Sequence, residues 1–185
     1  MTSNYKQRPR ITKALLLIAL TLFGAGIWYL IPAKEGIYDY KASYDREAVL
    51  HIFKNNMQWL VASHDYSVEY MLDTHSSSKE LKHKGNLTLK VYRLADNKTV
   101  GFLAYHKKNF YEGKVLFVAV DEQFRGKGYA RALLSYALDS LKKQGCTVVS
   151  LVTRVANERG RKLYTGMSFI QSWTDGYFIG YKKQL

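Results

Sequence analysis

The sequence has one cysteine, Cys146, in 185 residues, which excludes an internal disulfide framework and any cysteine-based metal site. At the start of an expected strand, Cys146 reads as a buried, inert thiol. Histidine is too scattered for metal chemistry. Of His51, His64, His75, His83 and His106, no two stand three or four residues apart, the spacing that sets two ligands on one helix face. No metal is expected. Acids are scarce too, 15 against 28 Lys and Arg, a formal charge of +13. The first thirteen residues hold Lys6, Arg8, Arg10 and Lys13 and no acid. Removing those four leaves 24 basic against 15 acidic residues, a net +9. Such a field favours anionic partners (nucleotides, phosphorylated cofactors, nucleic acid or lipid headgroups) without choosing among them. There is no internal repeat, no low-complexity segment, and no basic stripe interleaved with aromatics on one element. Nucleic-acid binding is therefore not expected. Hydrophobic residues make up 47%, which excludes disorder throughout and supplies the core of one ordinary domain.

Charge is absent altogether from Ala14 to Pro32, ALLLIALTLFGAGIWYLIP. As a helix this stretch spans roughly 28 Å at about 1.5 Å per residue, close to the thickness of the hydrocarbon layer. Trp28 and Tyr29 lie near its end, where amphipathic rings favour the interface, and Lys13 and Lys34 bracket it. A cleaved signal peptide would have a shorter apolar region and a better cleavage site than Ile31–Ala33. A soluble core helix would carry a polar stripe. The expected layout is a basic tail (1–13), a transmembrane helix (14–32), a linker (33–42) and one domain (43–185). Four basic residues before the helix against Lys34, Lys41 and Arg46 after it lean toward a cytosolic N-terminus.

Within the domain, Tyr44 to Ala62 is predicted helical, with Val49, Leu50, Phe53, Met57, Leu60 and Val61 at three- and four-residue steps. Ser43 is its expected N-cap, with Asp45 and Glu47 in the first turn. A short helix follows over Ser67–Asp73. Leu87–Leu94 and Val100–Tyr105 form a predicted hairpin around Ala95–Lys98. A turn at Asn109–Gly113 leads to Val115–Val120, apolar enough for a buried central strand. The pattern then becomes strand–helix–strand: helix Tyr129–Leu141 ended by Gly145, strand Thr147–Val152, helix Arg154–Gly166, and two short strands in Phe169–Tyr181. The fold class is α+β on a mixed sheet.

The stretch Val118-Ala-Val-Asp-Glu-Gln-Phe-Arg-Gly-Lys-Gly-Tyr-Ala-Arg131 runs a buried strand through a glycine-containing turn into a helix. Such a turn aims several free N–H groups and the positive end of the helix dipole at one spot. Gly126 and Gly128 let backbone approach a ligand closely, and Arg125, Lys127 and Arg131 add charge. The pattern predicts an anion site suited to a diphosphate; the competing reading is a turn that uses glycine for geometry alone. A Walker phosphate loop is excluded by its spacing, and the dinucleotide fingerprint fails because Arg131 stands where its third glycine belongs.

This stretch resembles the acetyl-coenzyme A signature R/Q-x-x-G-x-G/A of the GNAT superfamily of N-acetyltransferases. Arg125, Gly128 and Ala130 hold the fixed positions, after the strand Val118-Ala119-Val120. Downstream, Asn157, Leu163, Tyr164 and Phe169 match N-x-x-A-x-x-L-Y-x-x-x-G-F, with Gly160 in place of Ala and Ser168 in place of Gly. Gly160 inside a helix costs roughly 1 kcal/mol relative to Ala. The element order is similar over residues 43–185, and the motif detail over Leu116–Phe169.

The resemblance implies an acetyl-CoA-dependent N-acetyltransferase acting on an unidentified amine. Pantetheine would lie between the fourth and fifth strands, against backbone groups of Val118 and Val120. The pyrophosphate would meet the amides of Gly126, Lys127, Gly128, Tyr129 and Ala130. An N–H near Ala119 would polarise the thioester carbonyl, and Tyr164 would protonate the leaving thiolate. Tyr164 has the alternative of a packed core tyrosine, and Asn157 that of a helix cap rather than a cofactor contact. Asp121, Glu122 and His106 are candidate bases, or plain surface residues. The walls of the acceptor site would come from the first helices and Ser63–Ser78. Because acetyl-CoA is mainly cytosolic, the domain is expected on the cytosolic side, against the lean of the charge count. The rival readings are a catalytically inactive acyl-CoA-binding sensor or scaffold, and a basic membrane-surface module.

Overall fold

The computed structural model describes residues 34–62, 66–80 and 83–185. The expected tail (1–13) and transmembrane helix (14–32) lie outside the described residues. Among those described, no helix is long and apolar enough to cross a membrane.

The described residues form seven strands and four helices in the order β1 (Gly36–Asp39), α1 (Ala42–Leu60), α2 (Val68–Thr74), β2 (Thr88–Arg93), β3 (Thr99–Lys107), β4 (Glu112–Val120), α3 (Tyr129–Lys143), β5 (Val148–Arg154), α4 (Glu158–Thr165), β6 (Ile170–Thr174) and β7 (Phe178–Gln184). They form one sheet in the order β1-β2-β3-β4-β5-β7-β6. Every pair is antiparallel except β4 with β5, so the sheet is mixed, as the sequence pattern predicts.

The sheet carries a core on each face. On one, Leu133, Leu134, Ala137 and Leu141 of α3 pack on Leu103, Tyr105, Val149 and Leu151. On the other, Val49, Ile52 and Phe53 of α1 and Met71 and Leu72 of α2 pack on Leu89, Val91, Phe102, Ala104 and Phe117. Successive side chains of a strand point to opposite faces. The central β3, covered on both, is therefore buried through Thr99–Tyr105.

Several boundaries differ from expectation for local reasons. Gly36–Asp39, placed in the linker, pairs with Arg93–Lys90 of β2. Helix α1 starts at Ala42 after Lys41 rather than after Ser43. The Asp45 carboxylate accepts the Lys41 N–H at 2.8 Å and so satisfies an amide at the positive end of the helix. Helix α2 does begin after Ser67, whose hydroxyl accepts from the Tyr70 N–H at 3.1 Å. Arg154 belongs to β5, paired with Phe178, and α4 is delayed until Glu158, after its N-cap Asn157.

Candidate active site

The parallel pairing of β4 with β5 joins only Glu112–Lys114 to Val148–Ser150. Beyond that the ladder stops, although β4 runs on to Val120 and β5 to Arg154. The two strands therefore diverge and leave a gap in the middle of the sheet. The gap opens into a cavity of about 870 Å³ whose walls include Val118, Ala119, Val120, Thr153, Asn157 and Tyr164. Gly126, Gly128, Tyr129, Ala130 and Arg131 line it as well.

The turn at the end of β4 makes one end of this cavity polar. Gly126 and Gly128 adopt φ of 81° and 88°, the left-handed region that costs an ordinary residue about 1–2 kcal/mol. A Cβ at either would meet nothing within 4 Å, so backbone conformation, not space, calls for glycine. Gly128 is the N-cap of α3 and offers no side chain to cap it. The first bond inside the helix runs from the Ala132 N–H to the Gly128 carbonyl at 3.0 Å. The amides of Tyr129, Ala130 and Arg131 thus precede the helical ladder, at its positive end, with no acid in that turn. Together they form an anion-binding surface.

The basic side chains of the loop do not all turn toward the cavity. Arg125 donates from Nε to the Val120 carbonyl at 3.3 Å and from Nη2 to Asn56 Oδ1 at 2.9 Å. Its guanidinium therefore holds the loop to β4 and α1, and the Val120 carbonyl is already taken. Lys127 is exposed and lies over the Phe124 ring, 5.2 Å from its centroid. Arg131 donates to the Gly166 carbonyl at 3.1 Å. The Tyr129 ring packs 4.5 Å from that of Tyr92.

Tyr164 stands on α4 at the cavity wall, only 7% exposed. Burial first, and then Tyr181, push its hydroxyl up to about 12, so it keeps its proton throughout the neutral range and can give one but not take one. Its ring lies 5.7 Å from that of Tyr181 and 6.1 Å from that of Phe169, a packed position as well as a lining one. Asn157 is committed to structure: Oδ1 accepts from the Gly160 N–H at 3.0 Å and Nδ2 donates to Thr153 Oγ1 at 2.9 Å. It caps α4 while forming part of the wall.

Asp121, Glu122 and His106 do not line the cavity. Asp121 caps the short turn Glu122–Phe124 by accepting from the Gln123 N–H at 3.0 Å. Glu122 is exposed. His106 sits opposite Lys114 in the sheet, and burial, then Lys114, depress its affinity for a proton. Among the described residues, the one acid at the cavity is Glu158, in the first turn of α4. The first helices are expected to wall the acceptor site; Asn56, Trp59 and Leu60 of α1 line the cavity, and sequence reasoning singles out none of the three as a site residue. Among the described residues, no group of three or more His, Cys, Asp or Glu is placed to hold a metal ion.

A gapped mixed sheet with an amide-lined turn at the gap defines the acyl-coenzyme A acyltransferase class of fold. The model of the acetyltransferase (GNAT) family matches residues 46–169, well over half of the chain, and the chain belongs to that family. N-alpha-acetyltransferase 30 of Saccharomyces cerevisiae is 33% identical over 66 residues, covering 36% of this chain and 38% of the yeast protein. The match thus spans well under half of that relative. Two solved structures share the fold. Ard1 from Thermoplasma volcanium has a TM-score of 0.64 at 23% identity and covers 83% of this chain and 99% of its own. The paia N-acetyltransferase from Thermoplasma acidophilum, solved in complex with coenzyme A, has a TM-score of 0.64 at 20% identity, covering 83% and 100%.

Proposed function

We propose that this chain is an acetyl-CoA-dependent N-acetyltransferase that moves an acetyl group directly onto a primary amine. We further propose that residues 14–32 anchor it in a membrane with the domain on the cytosolic side. One observation carries the enzymatic reading. The diverging strands β4 and β5, the helix start at Tyr129–Arg131 and Tyr164 line a single cavity.

Acetyl-CoA, when bound, supplies a thioester carbonyl open to attack by a neutral amine. The amides from Gly126 to Arg131 hold the pyrophosphate, since they combine unpaired N–H donors with a helix N-terminus. The open edge of Val118–Val120 takes the pantetheine, and an N–H near Ala119 polarises the carbonyl. The new bond joins the amine nitrogen to the acyl carbon as the carbon–sulfur bond breaks. Tyr164 gives its proton to the departing sulfur. The amine's surplus proton leaves through water or through Glu158, the acid at the cavity. The name of the yeast relative makes an α-amino group the first acceptor to try. The anchor rests on the charge-free run Ala14–Pro32, and the cytosolic placement on the compartment that supplies acetyl-CoA.

A second reading, acyl-CoA binding without catalysis, draws support from the absence of Asp121, Glu122 and His106 from the cavity walls. Thiol release by the whole 185-residue chain, with acetyl-CoA and a panel of amines and free peptide N-termini, separates the two. The enzyme reading expects amine-dependent release that falls on the order of 10²-fold or more in Tyr164→Phe. Tight donor binding with no amine-dependent release from any acceptor would favour the scaffold.

A further inference from the structure

Helix α1 buries two polar residues in its inward stripe, Asp45 and Asn56, beside Val49, Ile52 and Phe53. Each meets an arginine from outside the helix, and a third arginine meets its end. Arg93 of β2 bonds both carboxylate oxygens of Asp45, at 2.9 and 2.6 Å. Arg125 donates to Asn56 Oδ1 at 2.9 Å. Arg154 donates to the Val61 carbonyl at 3.0 Å; α1 has no basic residue of its own in its last turn, so Arg154 supplies the cation that the negative helix end favours.

The last two arginines come from opposite sides of the gap. Arg125 follows β4 and Arg154 ends β5. The final turns of α1, with Trp59 and Leu60 on the cavity, are thereby tied to both diverging strands. Asn56 Nδ2 also donates to the Ile52 carbonyl at 2.8 Å, which fixes the orientation of the carboxamide and turns Oδ1 to Arg125. A neutral acceptor suits this place. It holds the guanidinium still without adding a second carboxylate to that of the exposed Glu122, which lies 3.8 Å from Arg125 Nη1.

We propose that Asn56 is a positioning residue for the donor site: through Arg125 it holds the corner from Val120 to Gly126, keeps the loop amides convergent, and joins them to the α1 wall. This rests on the acetyl-CoA reading above. Its test is made on the whole chain with Asn56→Leu, Asn56→Asp and Arg125→Met. Without ligand, Asn56→Leu should speed hydrogen exchange of the bonded amides of this loop, Gln123, Phe124 and Arg125, about tenfold, as expected for a lost hydrogen bond to a charged group, and leave β2 unchanged. Its acetyl-CoA affinity should fall about tenfold. Asn56→Asp, which restores an acceptor, should return loop exchange to near the wild-type rate. Arg125→Met should reproduce the Leu variant, and the double variant should add nothing. Unchanged loop exchange in Asn56→Leu, or a rise spread evenly over the sheet, would overturn the assignment. Failure of the wild type to bind acetyl-CoA would count against the enzymatic reading, while the ligand-free exchange still decides whether Asn56 positions the loop.

Discussion

The Asn157 carboxamide occupies the space that a side chain at residue 160 would need: a Cβ on Gly160 would lie 2.6 Å from Asn157 Nδ2 and 3.0 Å from its Cγ. The departure from alanine at this place therefore follows from the cap. Gly160→Ala should gain nothing in stability, because the helix propensity it adds, about 1 kcal/mol, is offset by displacement of a cap of similar worth. In an Asn157→Ala background the same change should stabilise by about 1 kcal/mol. Denaturant midpoints of the four proteins check this, and equal effects of Gly160→Ala in both backgrounds would contradict it.

The Asp45–Arg93 pair gives stability a particular pH dependence. Burial alone would push the Asp45 carboxyl up, but the bonds from Arg93, Thr99 and Lys41 outweigh it and hold it below the ordinary 3.8. A carboxyl depressed in the folded state contributes stability above the unfolded value, and that contribution fades as pH falls through the folded one. Arg93→Met should cost about 3–5 kcal/mol near pH 7, because it strands a buried charge. The gap from wild type should narrow toward pH 4 and below as Asp45 becomes protonated. Urea unfolding at the two pH values measures it; a gap independent of pH would contradict the account.

The proposed topology can be read from Asn97. In its sequon Asn97-Lys-Thr99, Asn97 and Lys98 are exposed on the turn before β3, with Asn97 itself at φ 68°. Expressed in a host that glycosylates lumenal domains, a cytosol-facing domain leaves Asn97 unmodified. Glycan addition, seen as a mass shift removed by a glycosidase, would place the domain on the far side.

Much of this was legible in the sequence, and what was not shares a cause. The strand–turn–helix from Val118 to Arg131 was readable because glycine spacing, apolar runs and helix periodicity are local. Strand β1 was missed because Gly-Ile-Tyr-Asp is too short to show alternation and is made a strand by Arg93–Lys90, over fifty residues on. Arg125 reads as a charge at the anion site because it stands beside a glycine turn, and it does line the cavity. Its partner Asn56 lies 69 residues earlier, and nothing local announces the pairing. Asn56 in turn fell outside the predicted apolar stripe of α1 because it is polar, although it is buried with that stripe. Asn157 had two local readings, and only Gly160 and Thr153, brought within bonding distance, commit its side chain to the cap.

The amide-lined loop is best tested by calorimetric titration of acetyl-CoA into the whole chain and into Gly128→Glu. At φ 88° and with open space around the Cβ position, the substitution adds about 1–2 kcal/mol of backbone strain and sets a carboxylate among the amides of Tyr129–Arg131. The account predicts micromolar binding by the wild type and its loss in the variant, both proteins being folded by circular dichroism. No binding by a folded wild type, or equal binding by the two, would contradict it.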